Sequence, residues 1–319
     1  MPRVVVAGDA NVDIVVQFPR FIDAERREVA WPSPQVFGGG TSSNTAAALG
    51  RLGVKCDFVG TVGDDSNGRF AADDLEASGV DVSGLARDAS LNTVGVFAFV
   101  DEVGERYLWG WPRENQSFKV IDQEKVDYDR LRSADWFHSS GMSLVYDTSA
   151  RSTIAKMYRE AHIAGVPTSL DLNLRVDDGA LDPDFESALR EILPDVDYVL
   201  GSGPDEYSYL GEGGWRENAE KLASDGRVAV VRDGANGSLA VCDGKSIEAP
   251  AFRVNVVDTV GAGDVFNAGF IYSLVFGGSL KDALVFGNAT AGYSVGRAGA
   301  RNTPTAEELR KFIGSHRLD

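Results

Sequence analysis

The chain has 319 residues, 43% of them hydrophobic, and its 48 acidic against 31 basic residues give a net charge of -17. This length allows a large buried core. The negative charge disfavours nucleic acid and anionic membranes as partners, because both would repel the protein. The start MPRVVVAGDAN does not resemble a secretory signal, and no apolar run approaches about 20 residues, so we expect a cytoplasmic protein. Cys56 and Cys242 lie far apart in apolar runs, which predicts buried free thiols.

Short β-branched runs alternate with segments of helical spacing along most of the chain. The runs that predict strands are 3–8, 55–60, 136–139, 167–172, 198–201 and 227–232. The segments that predict helices are 42–52, 149–164 and 184–192. This βαβ order predicts an α/β fold with a mostly parallel sheet that has helices on both faces.

Two regions, about 12–37 and 93–118, break this order. Alternating stretches at 94–100 and 105–109 predict hairpin strands, so we expect a small second sheet. A parallel sheet binds ligands beyond the carboxyl ends of its strands, where inserted strands could form a lid. No repeat or long linker interrupts the chain, which predicts a single domain over 1–319. The strand-rich lid is a candidate surface for a homodimer.

The strongest motif is the segment DTVGAGDVFNAGF at 258–270, which leads into a helix-like run to about residue 276. Backbone amides of Gly261, Ala262 and Gly263 at the helix start could hold phosphate oxygens. Asp264, in the first turn, could accept the proton of an attacking hydroxyl. From these residues alone, an ordinary glycine-rich turn is an equally good interpretation.

This segment closely resembles the carboxyl-terminal signature of the ribokinase-like, or PfkB-type, carbohydrate kinases, D-T-x-G-A-G-D-x-F. The resemblance implies a ribokinase-like three-layer sandwich with a β-sheet lid and a sugar kinase activity. It also implies that Asp264 is the catalytic base, that Gly261 to Gly263 form the anion hole, and that ATP with Mg²⁺ is the donor. If the chain binds K⁺, as family members often do, the resemblance makes Asp258 a ligand.

A second segment, GGGTSSNTAAA at 38–48, resembles the amino-terminal signature of the same family. It lacks the Gly-Lys-Ser/Thr ending of a Walker A loop, so it does not predict nucleotide binding by that route. The resemblance implies that Gly39, Gly40 and Asn44 contact the sugar. The opening GDANVD resembles the family's G-x-x-N-x-D element, which makes Asp13 and Asn11 substrate-binding residues as well.

The nucleotide side of the site is implied by weaker matches. The run VVRDGANGS at 230–238 resembles the strand and G-x-x-G turn that flank the ATP phosphates and ribose, although a plain hairpin turn also fits. The residues carried over are Arg232, Gly234 and Gly237. Asn288 lies in a small-residue segment that resembles the helix bordering the adenine.

One motif departs from the family pattern. Members often carry N-x-x-E in a loop that helps to organise the metal-bound phosphates, and the corresponding run here is GSGPDE at 201–206. It keeps Glu206, an indirect Mg²⁺ contact, but Gly203 stands where asparagine is expected. Ser202 or Asp205 could substitute for the missing amide.

The substrate is less clearly indicated. The run DLNLR at 171–175 resembles a stretch of 2-keto-3-deoxygluconate kinases and fructokinases, and the predicted lid combines aromatic residues with Arg113. Because an arginine fork matches a carboxylate, Arg113 or Arg175 could bind a sugar acid.

The sequence leaves two other functions open and disfavours a third. A kinase for a neutral ketose, a pentose or a nucleoside is the alternative within the family. A non-catalytic sugar- or nucleotide-binding regulator is the alternative outside it. A dinucleotide-dependent oxidoreductase is disfavoured, because no G-x-G-x-x-G follows the first strand.

Overall fold

The computed structural model describes residues 1–17, 33–101, 106–174, 176–177, 179–223, 226–297, 299 and 301–316. The strands are β1 (Arg3–Ala7), β2 (Asn11–Gln17), β3 (Gln35–Gly39), β4 (Lys55–Gly63), β5 (Val80–Asp88), β6 (Gly95–Val100), β7 (Arg106–Trp111), β8 (Trp136–Ser140), β9 (Thr168–Asp171), β10 (Val176–Asp177), β11 (Ala180–Leu181), β12 (Tyr198–Ser202), β13 (Val228–Arg232), β14 (Ser238–Cys242) and β15 (Lys245–Ala249). The α-helices are α1 (Thr41–Arg51), α2 (Ser66–Ala77), α3 (Tyr128–Arg132), α4 (Ser149–Ile163), α5 (Pro183–Ile192), α6 (Trp215–Ala223), α7 (Ala262–Val275), α8 (Leu280–Val295) and α9 (Ala306–Ser315).

The main sheet has the strand order β15-β14-β13-β12-β9-β8-β1-β4-β5. The pairings from β13 to β5 are parallel, and β14 and β15 add antiparallel strands at one edge. Strand β10 pairs only with β11 in a separate two-stranded ribbon, as far as the described chain shows. The predicted mostly parallel α/β sheet is confirmed.

Both faces of the main sheet are covered, as the strand residues predict. Successive side chains of a strand point to opposite faces. Val5 belongs to a buried cluster with Ile154 of α4, whereas Val6 belongs to another with Leu49 of α1 and Ile271 of α7. Strands buried on both faces are continuously apolar, which explains the β-branched runs of the sequence.

The segment after β4 contains elements that the sequence analysis left out. Strand β4 continues to Gly63, three residues beyond the predicted end, and is followed by α2 and β5. The Asp65 side chain caps α2 by accepting a hydrogen bond from the amide of Gly68 at 2.7 Å. The inner face of α2 is made mostly of small residues, Ala71 and Ala72 beside Leu75, so its hydrophobic periodicity is weak in the sequence.

The predicted small second sheet is also present, with the order β3-β2-β6-β7. Residues 18–32 and 102–105, which include the predicted strand start at 105, lie outside the described part of the chain. Residue pairing places Ile14, Phe97 and Trp109 on one face of this sheet. Asp13 and Val96 lie on the opposite face. The aromatic residues of β7 are therefore not on the face that carries Asp13, the candidate substrate ligand.

Two further expectations concern location and thiols. Within the described residues, no helix is both long and apolar enough to cross a membrane. A cytoplasmic location stays a prediction. Cys56 is a buried free thiol, as expected, and Cys242 is free but only partly buried.

Candidate active site

Helix α7 starts at the glycine-rich turn that the sequence singled out. Gly261 precedes the helix with φ of 71°, a left-handed conformation that glycine adopts without steric cost. Asp258 stabilises the approach to the turn, because its Oδ1 accepts a hydrogen bond from the amide of Val260 at 2.8 Å. The first amides of α7 and the positive end of its dipole lie at this point, so the turn is suited to bind an anion.

Asp264 lies in the first turn of α7 and is 7% exposed. Its Oδ2 accepts a hydrogen bond from Asn44 Nδ2 at 2.8 Å. Burial raises the pKa of Asp264 well above its usual range, the nearby charge of Asp171 raises it further, and the Asn44 hydrogen bond opposes the shift. A carboxylate with a raised pKa is a stronger base once it is ionised, which suits proton abstraction from a hydroxyl.

Helix α1 supplies Asn44 and is held by a carboxylate that the sequence analysis did not select. Asp9 is buried, and its carboxylate accepts hydrogen bonds from the amides of Thr41 at 2.9 Å and Ser42 at 3.1 Å. A negative charge at a helix start is favourable, so Asp9 fixes the beginning of α1. Thr45 Oγ1 donates to the backbone oxygen of Asp264 at 3.1 Å, so the starts of α1 and α7 are joined.

The predicted sugar-binding residues lie beside α1. A Cβ on Gly39 would be 2.4 Å from Asp13 Oδ1, so a larger residue there would displace the Asp13 carboxylate. Burial raises the pKa of Asp13 to about 6, with Arg301 opposing and Asp9 adding to the shift. Asn11 Oδ1 is a buried acceptor with no hydrogen-bond partner among the described residues. Such an atom fits a sugar hydroxyl donor.

Gly40 also requires glycine, for a different reason. Its φ is 98°, and a Cβ there would be 2.7 Å from the backbone oxygen of Asp9. Asn44 Oδ1, like Asn11 Oδ1, is buried and without a partner in the described chain. The amino-terminal signature therefore places one such buried acceptor on the side chain that bonds Asp264.

Arg301 is a second residue that the sequence analysis missed. Its Nη1 donates to the backbone oxygen of Ser43 at 2.6 Å, and its Nε lies 2.9 Å from Asp74 Oδ2. Its charge acts on both Asp13 and Asp264, although it is distant from them in sequence. No motif marked Arg301, because its partners are on α1 and α2, at the other end of the chain.

Arg232, the last residue of β13, is surrounded by acceptors. Its Nη1 donates to Asn267 Oδ1 at 2.7 Å and to the Gly263 carbonyl at 3.2 Å. Its Nη2 donates to Asp171 Oδ1 at 2.7 Å and to Glu206 Oε2 at 3.3 Å. The network links three strand ends of the main sheet to α7. No sequence motif indicated a role for Asp171 or Asn267.

Glu206, the residue expected to help organise Mg²⁺, accepts three hydrogen bonds from the protein. Oε1 accepts from the amide of Leu174 at 2.9 Å, and Oε2 accepts from the amide of Ser202 at 2.5 Å as well as from Arg232. Burial raises the pKa of Glu206, and Asp171 adds to the shift. This arrangement does not fit a direct metal ligand, and the expected indirect contact with Mg²⁺ stays a prediction. Within the described residues, no group of three or more His, Cys, Asp or Glu side chains could hold a metal ion.

The glycine at position 203 has a steric explanation. A Cβ there would be 3.0 Å from the ring of Trp215 and 3.1 Å from Val231 Cγ1, which is tighter than ordinary packing. The two residues suggested as substitutes bond to each other, because Ser202 Oγ donates to Asp205 Oδ2 at 3.0 Å. Glycine is thus compatible with the tryptophan that covers this loop.

The residues predicted on the nucleotide side lie at turns and helix contacts near β14 and β15. Asn288 Nδ2 donates to the backbone oxygens of Ala249 at 3.0 Å and Pro250 at 3.1 Å. Gly237 has φ of 102° and closes the same corner, where a Cβ would contact Ala249 O at 2.1 Å. Gly234, which follows Arg232 on this turn, has φ of 51° and open space at its Cβ position.

Three more residues were predicted to belong to the site. Asp258 Oδ2 accepts a hydrogen bond from the amide of Gly299 at 2.9 Å. Arg113 is exposed and lies just beyond β7. Arg175 lies outside the described residues.

A buried carboxyl group beside the amides of a helix start, at the carboxyl ends of parallel strands, is an arrangement that suits a phosphotransferase acting on a hydroxyl. Residues 1–307 match the profile described as pfkB family carbohydrate kinase. The chain belongs to this family and is a carbohydrate kinase. The expected family is confirmed, and the non-catalytic alternative is not supported.

Several relatives match over nearly the whole chain. The ATP-dependent ribose-1-phosphate kinase of Halopiger xanaduensis is 35% identical over 323 residues, covering 100% of both chains. The aminoimidazole riboside kinase of Salmonella typhimurium is 29% identical and covers 100% of this chain and 97% of its own. Among solved structures, the fructokinase of Xylella fastidiosa with bound ATP has a TM-score of 0.84, 25% identity and 98% coverage of both chains. These matches confirm the ribokinase-type fold.

Proposed function

We propose that this kinase transfers the γ-phosphoryl group of ATP, supplied as its magnesium complex, to a hydroxyl of ribose 1-phosphate. The main support for phosphoryl transfer to a hydroxyl is the buried carboxyl of Asp264, which lies at the start of α7 and accepts a hydrogen bond from Asn44. The full-length relationship to a ribose-1-phosphate kinase supports the choice of substrate.

In the proposed mechanism, Asn11, Asp13 and Asn44 orient the sugar hydroxyls, and Asp264 accepts the proton of the attacking hydroxyl. The amides of Gly261 to Gly263 stabilise charge on the transferred phosphoryl group. Bound magnesium would neutralise charge on the ATP phosphates. Gly234, Gly237 and Asn288 remain candidates for the nucleotide side.

A sugar acid such as 2-keto-3-deoxygluconate is the second candidate substrate, with Arg113 or Arg175 as its carboxylate ligand. One observation favours it: the chain is 26% identical to the 5-dehydro-2-deoxygluconokinase of Listeria monocytogenes. Neutral fructose and ribose, and nucleosides, complete the set, because fructokinases and a riboside kinase are also relatives.

The test is ADP release with ATP and Mg²⁺ across ribose 1-phosphate, ribose, fructose, 2-keto-3-deoxygluconate and nucleosides. We expect the highest kcat/KM with ribose 1-phosphate, and loss of at least about 1000-fold in Asp264→Asn. Asp129→Asn is the matched control, because Asp129 is also in the first turn of a helix but its side chain is 96% exposed. A higher kcat/KM for any other sugar would refute the substrate, and an active Asp264→Asn would refute the mechanism.

Two finer features belong to this proposal. We propose that K⁺ binds at Asp258; if replacing K⁺ with tetramethylammonium leaves kcat unchanged, this is wrong.

We also propose a homodimer through the second sheet, whose apolar face exposes Val36, Tyr107, Trp109 and Trp111 at 46%, 57%, 46% and 53%. A monomeric mass by light scattering would refute the dimer.

A further inference from the structure

The guanidinium of Arg232 lies at the centre of the buried network below the first turns of α7. The two terminal nitrogens of an arginine carry four N–H groups. In Arg232 they have four acceptors: the carbonyl of Gly263, Asn267 Oδ1, Asp171 Oδ1 and Glu206 Oε2. The side chain is 16% exposed. Its hydrogen-bonding capacity is thus largely used inside the protein.

The register of the main sheet explains how these groups meet. Arg232 at the end of β13 pairs with Ser202 of β12, and Leu200 of β12 pairs with Asp171 at the end of β9. Paired residues of adjacent strands share a face, so Arg232 and Asp171 point to the same side, across β12. That side faces α7, because the buried Leu200 clusters with Phe266 of that helix.

Asn267 closes the network from the helix. Its Oδ1 accepts from Arg232, and its Nδ2 donates to Asp171 Oδ2 at 2.9 Å. Arg232, Asp171 and Asn267 thus form a closed ring of hydrogen bonds, and the Gly263 carbonyl is tied to the same guanidinium. Gly263 and Asn267 lie on either side of Asp264 in the helix. The ring therefore holds the turn that carries both the base and the anion-hole amides.

We propose that Arg232 is a positioning residue that fixes the first two turns of α7 from inside the protein and does not bind the ATP phosphates. The resemblance to the family suggested the opposite, an ATP contact. Four satisfied N–H groups argue against a phosphate contact, since a phosphate would have to displace buried carboxylates that are already paired. The proposal concerns the carbohydrate kinase itself and does not depend on which sugar it phosphorylates.

The charged groups around Asp264 provide a second test of the role of Arg232. The groups that act on this carboxyl come from several elements: Asn44 from α1, Asp9 after β1, Asp171 from β9, Arg232 from β13, and Arg301 before α9. Asp171 raises the pKa of Asp264, and Arg232 lowers it. Removing one or the other should move the acid limb of the pH–rate profile in opposite directions.

The experiment compares Arg232→Lys, Arg232→Met and Asp171→Asn with the best sugar substrate of the wild type. Lysine keeps the charge but not the planar fork, so we expect kcat to fall by about 100-fold with the acid limb unmoved. Methionine should lower kcat similarly and move the acid limb up by about one pH unit, and Asp171→Asn should move it down. The KM for ATP should stay within about threefold in all three.

The control is Arg151→Met, because Arg151 is also poorly exposed, at 12%, and forms a two-nitrogen pair with Asp184 away from the site. We expect it to lower stability and leave kcat unchanged. A rise of more than about tenfold in the KM for ATP, with kcat nearly unchanged in Arg232→Met, would overturn the proposal in favour of a nucleotide contact.

Two further measurements apply if Arg232→Met does not fold or if no sugar is phosphorylated. If Arg232→Met does not fold, Asn267→Ala removes the same ring from the helix side and should reproduce the loss of kcat; unchanged kcat there would contradict the ring's role. If no sugar is turned over, ATP binding by calorimetry still decides. An unchanged Kd in Arg232→Met supports positioning, and a Kd weakened by more than about tenfold refutes it.

Discussion

Leucine is similar in size to asparagine but has no amide, so Asn44→Leu removes the hydrogen bond to Asp264 with little change in volume. It is therefore a direct test of the site. The Asn44 amide donates at 2.8 Å to Asp264 and stabilises its ionised form. A hydrogen bond to a charged group contributes about 1.5–3 kcal/mol. Its loss should therefore raise the pKa of Asp264 by about one to two pH units.

The sign of the effect on activity follows from the role of the base. Asp264 must be ionised to accept a proton, so the rate falls as the pH drops through its pKa. In Asn44→Leu this fall should begin at higher pH, and kcat at pH 7 should be lower than in the wild type, with partial recovery at pH 9. The assay is kcat measured from pH 5.5 to 9 at saturating sugar and ATP.

The matched control is Asn67→Leu, which removes another helix asparagine with one side-chain hydrogen bond, to the Thr93 carbonyl at 3.3 Å. It should leave the acid limb in place. If Asn44→Leu changes only the KM for the sugar and the acid limb does not move, Asn44 does not tune Asp264 and the reasoning is wrong.

Gly40→Ala should lower the free energy of unfolding in urea more than Gly53→Ala. Both glycines have positive φ, so either alanine should cost about 1–2 kcal/mol of backbone strain, but only at Gly40 is there no room for the methyl group. Equal losses would contradict the steric argument. Gly203→Asn, which restores the family residue, should lower Tm by about 2–10 °C because it crowds Trp215, and an unchanged Tm would show that the loop has space. Asp264→Asn should raise Tm at pH 8: its carboxyl pKa is raised in the folded state, so stability falls as pH rises from about 4 towards that pKa. The gain should vanish near pH 4, and a variant less stable than the wild type at pH 8 would contradict this sign.

The sequence predicted the parts of the site that depend on local backbone geometry. The segment 258–270 combines a left-handed glycine, a helix start and an acidic first turn, which are all local properties. The parallel sheet was predictable for a similar reason, because buried strands require β-branched runs. The family signatures then supplied roles for Asp13 and Asn44 that local patterns could not.

Contacts between distant segments could not be predicted in this way. Arg301 bonds Ser43 across 258 residues of sequence, and Arg232 bonds Asp171 across 61. A charged residue in a sequence shows no partner, and both arginines follow otherwise ordinary strand or loop residues. Glu206 is the instructive case, because its motif singled out the residue but did not reveal that its carboxylate accepts hydrogen bonds from two backbone amides.

The joining of α1 to α7 has a consequence for how the enzyme is made. All strands of the main sheet are complete by Ala249, but the base, its α1 partner and Arg301 come together only through contacts that span more than 200 residues. Such contacts form late, because a long loop must close before they contribute. During synthesis from the amino terminus, most of the sheet can therefore assemble on the ribosome well before the chain is able to react with a nucleotide. The nascent enzyme should stay inactive until almost its whole length has emerged.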